Sequence, residues 1–487
     1  MSNSNKNSKT IQLCISLLIV AASLLLPCPD GLSRVAMYTL GVFISALVMW
    51  MSISISWPCF IVIFLVALIP GYGFTATLSK AFGNSTLAFL LFSFMLVYPL
   101  SKTNFVKRTA IAFITNKIAV KGPWHFVSFL LFAELILGLF ISPSVLFVAF
   151  LPFLEEIYKV LDLKENSKTA NMLMIGSVIC ISLSSGMTPI GHVWPTLAMG
   201  AWNSAFADSS IGALQFMAVG IPTGIVLTIL LILVFKLFFK PDDINDVNPQ
   251  KALSLKGSVP KADNSEKFIL AVVALVVVLW IAPSLIKNSL PAVYSFINGM
   301  GTAMPPLLGI ILMFVFKPEG KNVLEFREAA TKGVMWEAIL MTGTATLVGG
   351  CLTDSNIGIT DVLTKVLGPA AQGLSPIMIV VFFCAWVVIQ TNFASNIVTT
   401  TVVSSIAVAI ISALPEGYVS GASILCLIGF GAAICNMTPA AQSTINTVAI
   451  GSGRTTAKDL FVWGGIFAVL AIIVMSTIGY GIGAAIM

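Results

Sequence analysis

The sequence predicts an all-α, polytopic membrane protein of about eleven crossing helices plus two re-entrant hairpins, folded as two inverted halves. Three observations lead there: an apolar and charge-poor composition, basic residues gathered into alternate loops, and a pair of matching interruptions inside apolar segments.

Of the 487 residues, 57% are hydrophobic and 9% charged, with a mean hydropathy of +1.00. Soluble domains carry about 25% charged residues, so the natural solvent for most of this chain is lipid. Strands of a membrane barrel alternate in polarity. The apolar runs here are continuous, so the spans are helices. They fall at 11–27, 35–51, 56–73, 86–100, 125–156, 170–200, 214–238, 267–286, 300–316, 333–353, 373–411, 420–450 and 459–486. The first has no small-residue cleavage pattern before Pro27-Cys28-Pro29 and reads as an uncleaved helix rather than a signal peptide. Segments 125–156 and 373–411 are too long for one crossing and too short for two. Each carries a polar interruption at its middle, the signature of a hairpin that enters and leaves on one side.

Basic residues collect in cytoplasmic loops. With the N-terminus inside and the C-terminus outside, 22 of the 26 Lys and Arg residues fall in inner segments; Arg34, Lys80, Lys287 and Lys365 do not. Counting either hairpin as a full crossing would destroy this asymmetry. Orientation therefore accounts for the formal charge of +6, and no nucleic-acid partner is needed. The eight cysteines are scattered, without a CxxC pair, and read as small buried hydrophobes.

Residues 1–240 and 267–487 form the two halves. The polar segment 241–266, rich in Lys and Pro, reads as a flexible cytoplasmic linker. Broken span 170–200 contains Met187-Thr188-Pro189-Ile190-Gly191-His192, and broken span 420–450 contains Met437-Thr438-Pro439-Ala440-Ala441-Gln442. One span enters from inside and the other from outside, so the repeat is inverted. The hairpin tips correspond likewise, 142–144 in the first half and 395–397 in the second.

Non-helical backbone at membrane depth survives only where it is buried or lines a wet cavity. The two tips and two breaks expose helix N-termini, whose free N–H groups and partial positive charge bind anions without a basic side chain. The opposite helix ends present carbonyls that suit Na⁺. No Lys or Arg lies in a tip or break. This points to a site for a small anion together with a coupling cation.

These tips, the two Thr-Pro breaks, the Gly451-Ser452-Gly453 that follows and the linker placement resemble the divalent anion/sodium symporter family of secondary transporters over residues 40–487. The resemblance implies Na⁺-coupled transport of a di- or tricarboxylate or an inorganic anion across the cytoplasmic membrane, a homodimer, and an elevator motion of the hairpins and their flanking helices. It implies that Ser395 and Asn396 hydrogen-bond a substrate carboxylate and that Ser443 faces the substrate. One Na⁺ would be held by Asn396 with backbone oxygens of Thr391, Ala394 and Gln442. The family marks each tip with Ser-Asn-Thr. The second tip keeps Ser395-Asn396 with Ile397 third, whereas the first reads Ser142-Pro143-Ser144. There Ser142 and Ser144 offer hydroxyls and Gly138, Ser142 and Gly191 form a first Na⁺ set, but Pro143 supplies neither an amide side chain nor a backbone N–H. Thr188, Thr438 and His192 complete the candidate substrate residues. The bland alternative for the tip serines is helix capping, and for His192 a satisfied structural role.

Glu134, in the first hairpin, is an intramembrane carboxyl, costly to bury and functional by default, unless its arm faces a wet crevice. Glu337 and Asp354 lie near span ends and read as solvated. Two further transporter readings stand beside the symporter: an exchanger without Na⁺ coupling, and a sodium/proton antiporter or arsenite-type permease. A cation antiporter wants an acidic residue at a break, and the four breaks hold none. A membrane-embedded enzyme would need an acid–base or metal set; His125 and His192 are the only histidines and no HExxH occurs.

Overall fold

The computed structural model describes residues 3–29, 31–164, 166–286, 289–352, 354, 356–359, 362, 365, 373–438 and 443–487, without the side chains of 3–8, 283–285, 443 and 444. Among these residues the chain is helical throughout, with no strand. Six helices are long and apolar enough to cross a membrane, or up to eight when two bent pairs each count as one span.

The first half begins with α1 (Asn3–Leu25) packed along α2 (Arg34–Ser52), followed by α3 (Pro58–Ala67), α4 (Phe74–Phe82) and α5 (Ser85–Ser101). Caps fix these starts: Ser33 accepts from Ala36 N at 3.0 Å and Asn84 from Leu87 N at 2.9 Å. The span expected at 86–100 is preceded by α4, and together the two form an apolar run over Phe74–Ser101. A short helix α6 (Phe105–Ile114) follows, inside what the sequence shows only as a basic loop.

The first hairpin is α7 (Pro123–Gly138) and α8 (Pro143–Val160), each opened by proline, whose missing N–H costs nothing in a first turn. Its outer end lies on one face, where Lys107 of α6 reaches Glu156 of α8 at 2.8 Å. The first broken span is α9 (Lys168–Met187), capped by Ser167, and α10 (Val193–Ala205). The half closes with α11 (Ala213–Val234), which runs on as a π turn to Phe239.

The second half contains α12 (Asn264–Ile286), α13 (Pro291–Gly299), α14 (Met304–Val315) and α15 (Trp336–Leu352). The helices α13 and α14 meet at 80°, so the expected span 300–316 is half of a bent pair. The second hairpin is α16 (Pro376–Thr391) and α17 (Asn396–Ser412). Its outer ends also lie together, since Tyr418 Oη donates to Leu374 O at 2.7 Å. The second broken span is α18 (Gly421–Gly431) and α19 (Ser443–Gly451), and the chain ends with α20 (Ala457–Val474), prolonged to Ile486.

The halves interlock. The helix after the first break, α10, packs on α17 and α18, and the helix after the second break, α19, packs on α8 and α9. Within the broken spans the backbones nearly touch. A Cβ on Gly186 would come within 2.7 Å of Phe430 O and Ala433 Cβ, and one on Gly429 within 3.0 Å of Pro195 Cα and Ala198 Cβ. Glycine at both points is what lets the two spans approach. Outside this core, Phe60, Phe64, Phe238 and Val469 stand exposed, the pattern of a lipid-facing surface.

The segment 241–266 departs from the flexible linker expected. Ile244, Val247, Ala252 and Leu255 are buried in it. Asp243 accepts from Thr169 N at 2.9 Å and from Ser167 Oγ at 2.5 Å at the start of α9. Lys168 pairs with Asp242 at 2.9 Å and Lys251 with Asp162. The last part is held by Arg108, which bonds Pro260 O at 2.8 Å and pairs with Glu266. The segment is a docked strap because four spaced apolar residues and two aspartates give it a complementary partner. Lys168, donating to Asp242, holds that carboxyl below the usual carboxylate range. Every ion pair found among the described residues joins segments assigned to the same side by charge placement: 102 with 328, 107 with 156, 108 with 266, 168 with 242, 162 with 251, 328 with 332 and 155 with 454.

Candidate functional site

The correspondence between the two halves recurs in hydrogen bonds. In the first half Thr188 Oγ1, at the end of α9, donates to Leu139 O in the hairpin tip at 2.7 Å. In the second half Thr438 Oγ1 donates to Asn392 O at 2.5 Å. Leu139 precedes Ser142 by three residues and Asn392 precedes Ser395 by three, so the same bond recurs at equivalent positions. Each Thr-Pro break is thus fastened to its own hairpin tip. The bond consumes the hydroxyl hydrogens of Thr188 and Thr438, and leaves their oxygens as acceptors only.

Ser142 and Ser395 are the N-cap residues of α8 and α17, yet neither side chain caps its helix. Capping alone therefore does not explain them. Ser142 and Ser144 are half-buried and Ser395 is exposed. Asn396 is 6% exposed, and its Oδ1 has no hydrogen-bond partner. The carbonyls of Thr391 and Ala394 accept no hydrogen bond among the described residues. The hydroxyl of Thr391 is used internally, donating to Ala432 O at 3.0 Å. An orphaned amide oxygen within five residues of two unbonded carbonyls at one hairpin tip is the chemistry of a donor set for a hard monovalent cation, so these residues fit Na⁺. Gln442, assigned to the same set, lies outside the described residues, as does the side chain of Ser443.

The first set differs. Gly138 and Gly191 adjoin, a Cβ on Gly191 falling 2.9 Å from Gly138 O. Both carbonyls again accept nothing among the described residues. Gly191 N donates to Thr188 Oγ1 at 3.2 Å, so the break itself is ordered by Thr188. This set offers backbone oxygens and the Ser142 hydroxyl, but no amide side chain, because Pro143 stands there. His192 is the N-cap residue of α10 without capping it. Its ring lies against that of Trp194, tilted by 33° with 3.9 Å between centroids. His192 Nδ1 and Trp194 Nε1 are both buried without a partner, two polar atoms that a ligand could satisfy.

Several residues at this centre are not evident from the sequence. Asn392, fully buried, staples the second tip to its break: Nδ2 donates to Ile434 O at 2.6 Å and to Val388 O at 2.7 Å, and Oδ1 accepts from Met437 N at 2.9 Å. Asn446 Nδ2 donates to Thr438 O at 2.7 Å. Asn436, one residue before Met437-Thr438-Pro439, has both amide atoms buried and unpartnered. Cys435 lies beside Asn396 and beside Ser182 of the other half. The break and tip of the second half therefore meet the first half's broken span at one polar locus within an apolar body. The only signal available in the sequence was the density of Asn near the second break.

Two hairpins, each latched to a broken helix, with unpaired polar atoms where the breaks meet, are the arrangement of a helical membrane transporter rather than an enzyme. The chain belongs to the sodium:sulfate symporter transmembrane region family, which matches residues 7–487, a family of transporters that includes the divalent anion/sodium symporters. It is similar to a sodium-dependent dicarboxylate transporter, SdcS, of Staphylococcus saprophyticus, at 23% identity over 485 residues, covering 96% of this chain and 90% of that protein. It is also similar to an uncharacterised transporter of Methanocaldococcus jannaschii, at 23% identity over 255 residues and 52% of each. Among solved structures it resembles the YdaH transporter of Alcanivorax borkumensis, with a TM-score of 0.56 at 12% identity, over 84% of this chain and 87% of that one. That last likeness concerns the fold alone.

Proposed function

We propose that this protein carries a small anion, foremost a di- or tricarboxylate, across the cytoplasmic membrane by Na⁺-coupled secondary active transport. The observation that carries the reading is the second tip: Ser395 leaves its helix uncapped and Asn396 keeps an unpartnered buried oxygen. In this reading Ser142, Ser144, Ser395 and Ser443 donate to the anion, with Thr188, Thr438 and His192 around it. Asn396 Oδ1 and the carbonyls of Thr391, Ala394 and Gln442 hold one Na⁺. The carbonyls of Gly138 and Gly191 with Ser142 hold a weaker one. The bound cations cancel the anion's charge and lower the cost of moving the loaded site through lipid. The chain acts as a homodimer with about eleven crossings and two hairpins, its N-terminus inside and its C-terminus outside, and the hairpins move with the broken helices as an elevator.

Uptake into proteoliposomes of succinate, citrate, sulfate and related anions, with and without an inward Na⁺ gradient, tests this. Gradient-stimulated uptake of at least one is expected; failure to carry any carboxylate or oxyanion overturns the reading. Pro143 favours a second reading, an anion exchanger without Na⁺ coupling, because it removes an amide from the first cation set. Counterflow against internal anion that is indifferent to Na⁺ is the outcome that selects it.

A further inference from the structure

We propose that Glu134 is a proton-binding site linked to the anion site, so that one proton travels with the anion; this rests on the transport reading above. Glu134 lies on α7, fully buried. Its Oε1 accepts from Ser177 Oγ of α9 at 2.6 Å, and its Oε2 has no partner. Among the described residues one other carboxylate is buried, Glu266, and it is paired with Arg108. Glu134 has no such cation. The ionisable groups nearest it are the buried phenol of Tyr158 on α8 and the thiol of Cys180 on α9. Beyond Tyr158, Arg454 is already committed to Glu155 at 2.8 Å. On α6, Lys107 and Arg108 pair with Glu156 and Glu266. Lys121 sits at the outer end before α7, and α11 contributes no ionisable residue. An isolated carboxylate cannot stay charged in such surroundings, so Glu134 is neutral in this conformation.

The repeat shows that the fold does not require this polar pair. Matching Ser142 with Ser395 puts Val387 at the place of Glu134, and matching Thr188 with Thr438 puts Leu427 at the place of Ser177. Both are fully buried. The same architecture thus packs with two apolar side chains in one half and an acid with its hydroxyl partner in the other. The acid belongs to the half whose cation set lacks an amide. Glu134 lies four residues, about 6 Å along α7, before Gly138, where the helix ends at the tip. Over a separation of about 12 Å, in a medium of intermediate polarity, an ionised Glu134 weakens binding of a unit anion by a factor of about ten. Protonation and anion binding therefore favour each other. A proton from water on one side attaches to Oε2, Ser177 keeps Oε1, and the neutral acid crosses with the loaded hairpin. After the anion leaves, opening of the hairpin to water on the other side hydrates the carboxyl, which ionises and releases the proton there.

The test uses purified full-length protein. In proteoliposomes with equal Na⁺ on both sides, succinate uptake is followed as the outside is shifted from mildly alkaline to mildly acidic, with an internal pH dye. Wild type is expected to speed up about tenfold and to acidify the interior. Glu134→Gln, which keeps an acceptor for Ser177, is expected to lose the pH dependence and the dye signal while still carrying succinate. A variant with the wild-type pH response overturns the inference, as does wild-type uptake without proton entry. An independent reading needs no transport: infrared spectra at neutral pH should show a protonated carboxyl band in wild type that is missing in Glu134→Gln. Its presence in both overturns the proton site even if no anion is carried, whereas absence of any anion uptake strikes only at the transport reading.

Discussion

At the scale of single residues, the second tip carries the unpartnered polar atom on which the proposed site rests. Asn396→Ala removes the unpartnered oxygen and the amide donor while leaving α17 intact, because Asn396 makes no capping bond. Uptake should fall to background with unchanged yield and size-exclusion profile; retained uptake would remove the tip from the site. Asn392 acts differently. Its three bonds hold backbone to backbone, and Asn392→Leu strands buried donors and acceptors, each costing about 1–3 kcal/mol. A markedly lowered melting temperature in detergent is expected, with loss of uptake following from instability. The contrast explains what was legible. Ser395 and Asn396 stand out in the sequence because a polar Ser-Asn pair interrupts an apolar run. Asn392 does not, because its counterpart is Leu139, so comparing the halves gives no polar signal there. His192 stood out in sequence, but its contact with Trp194 depends on the extended backbone of the break.

At the scale of elements, the two broken spans approach through Gly186 and Gly429 without any intervening side chain. Gly186→Val should force α9 from α18, since the carbonyl of Phe430 cannot yield as a flexible side chain would. Overpacking of this kind costs about 1–3 kcal/mol, and a thermal shift assay should register it. The pairing of breaks and tips was legible as repeated Met-Thr-Pro and as similar spacing, 46 residues from Ser142 to Thr188 and 43 from Ser395 to Thr438, and the structure adds a bond between each break and its tip. The short helices α4 and α6 were not, because fewer than three turns of mixed polarity leave no periodic trace. The strap misled for a related reason: its composition is that of a linker, and only its four buried apolar residues, spaced along polar neighbours, betray docking. Asp242, held below its usual range by Lys168, stabilises the docked strap above the unfolded carboxylate range and loses that contribution as pH falls through its lowered value. Amide protection factors in residues 242–251, taken relative to the intrinsic exchange rate at each pH, should accordingly fall in acid, and fall at neutral pH in Asp242→Asn.

At the scale of the whole molecule, the sidedness of charge was the strongest statement available from sequence, and the ion pairs gather those same segments at one end. Which end faces the cytoplasm is testable by labelling single cysteines from either side: Ser254→Cys in a cysteine-free background should react only from inside, and a cysteine appended at the C-terminus only from outside. The strap bears on how such a body can move. It is fastened at Asp242 to Lys251 on the α9 end and at Pro260 to Glu266 on α6. Eight residues, 252–259, lie between Lys251 and Pro260, and the nine steps of a fully extended chain across them reach about 30 Å. Under the proposed elevator motion the strap is a leash that limits how far the hairpin body slides past α6 while both fastenings hold. Deletions between 256 and 259, which spare the buried Ala252 and Leu255, should shorten that reach until transport stalls with the fold intact.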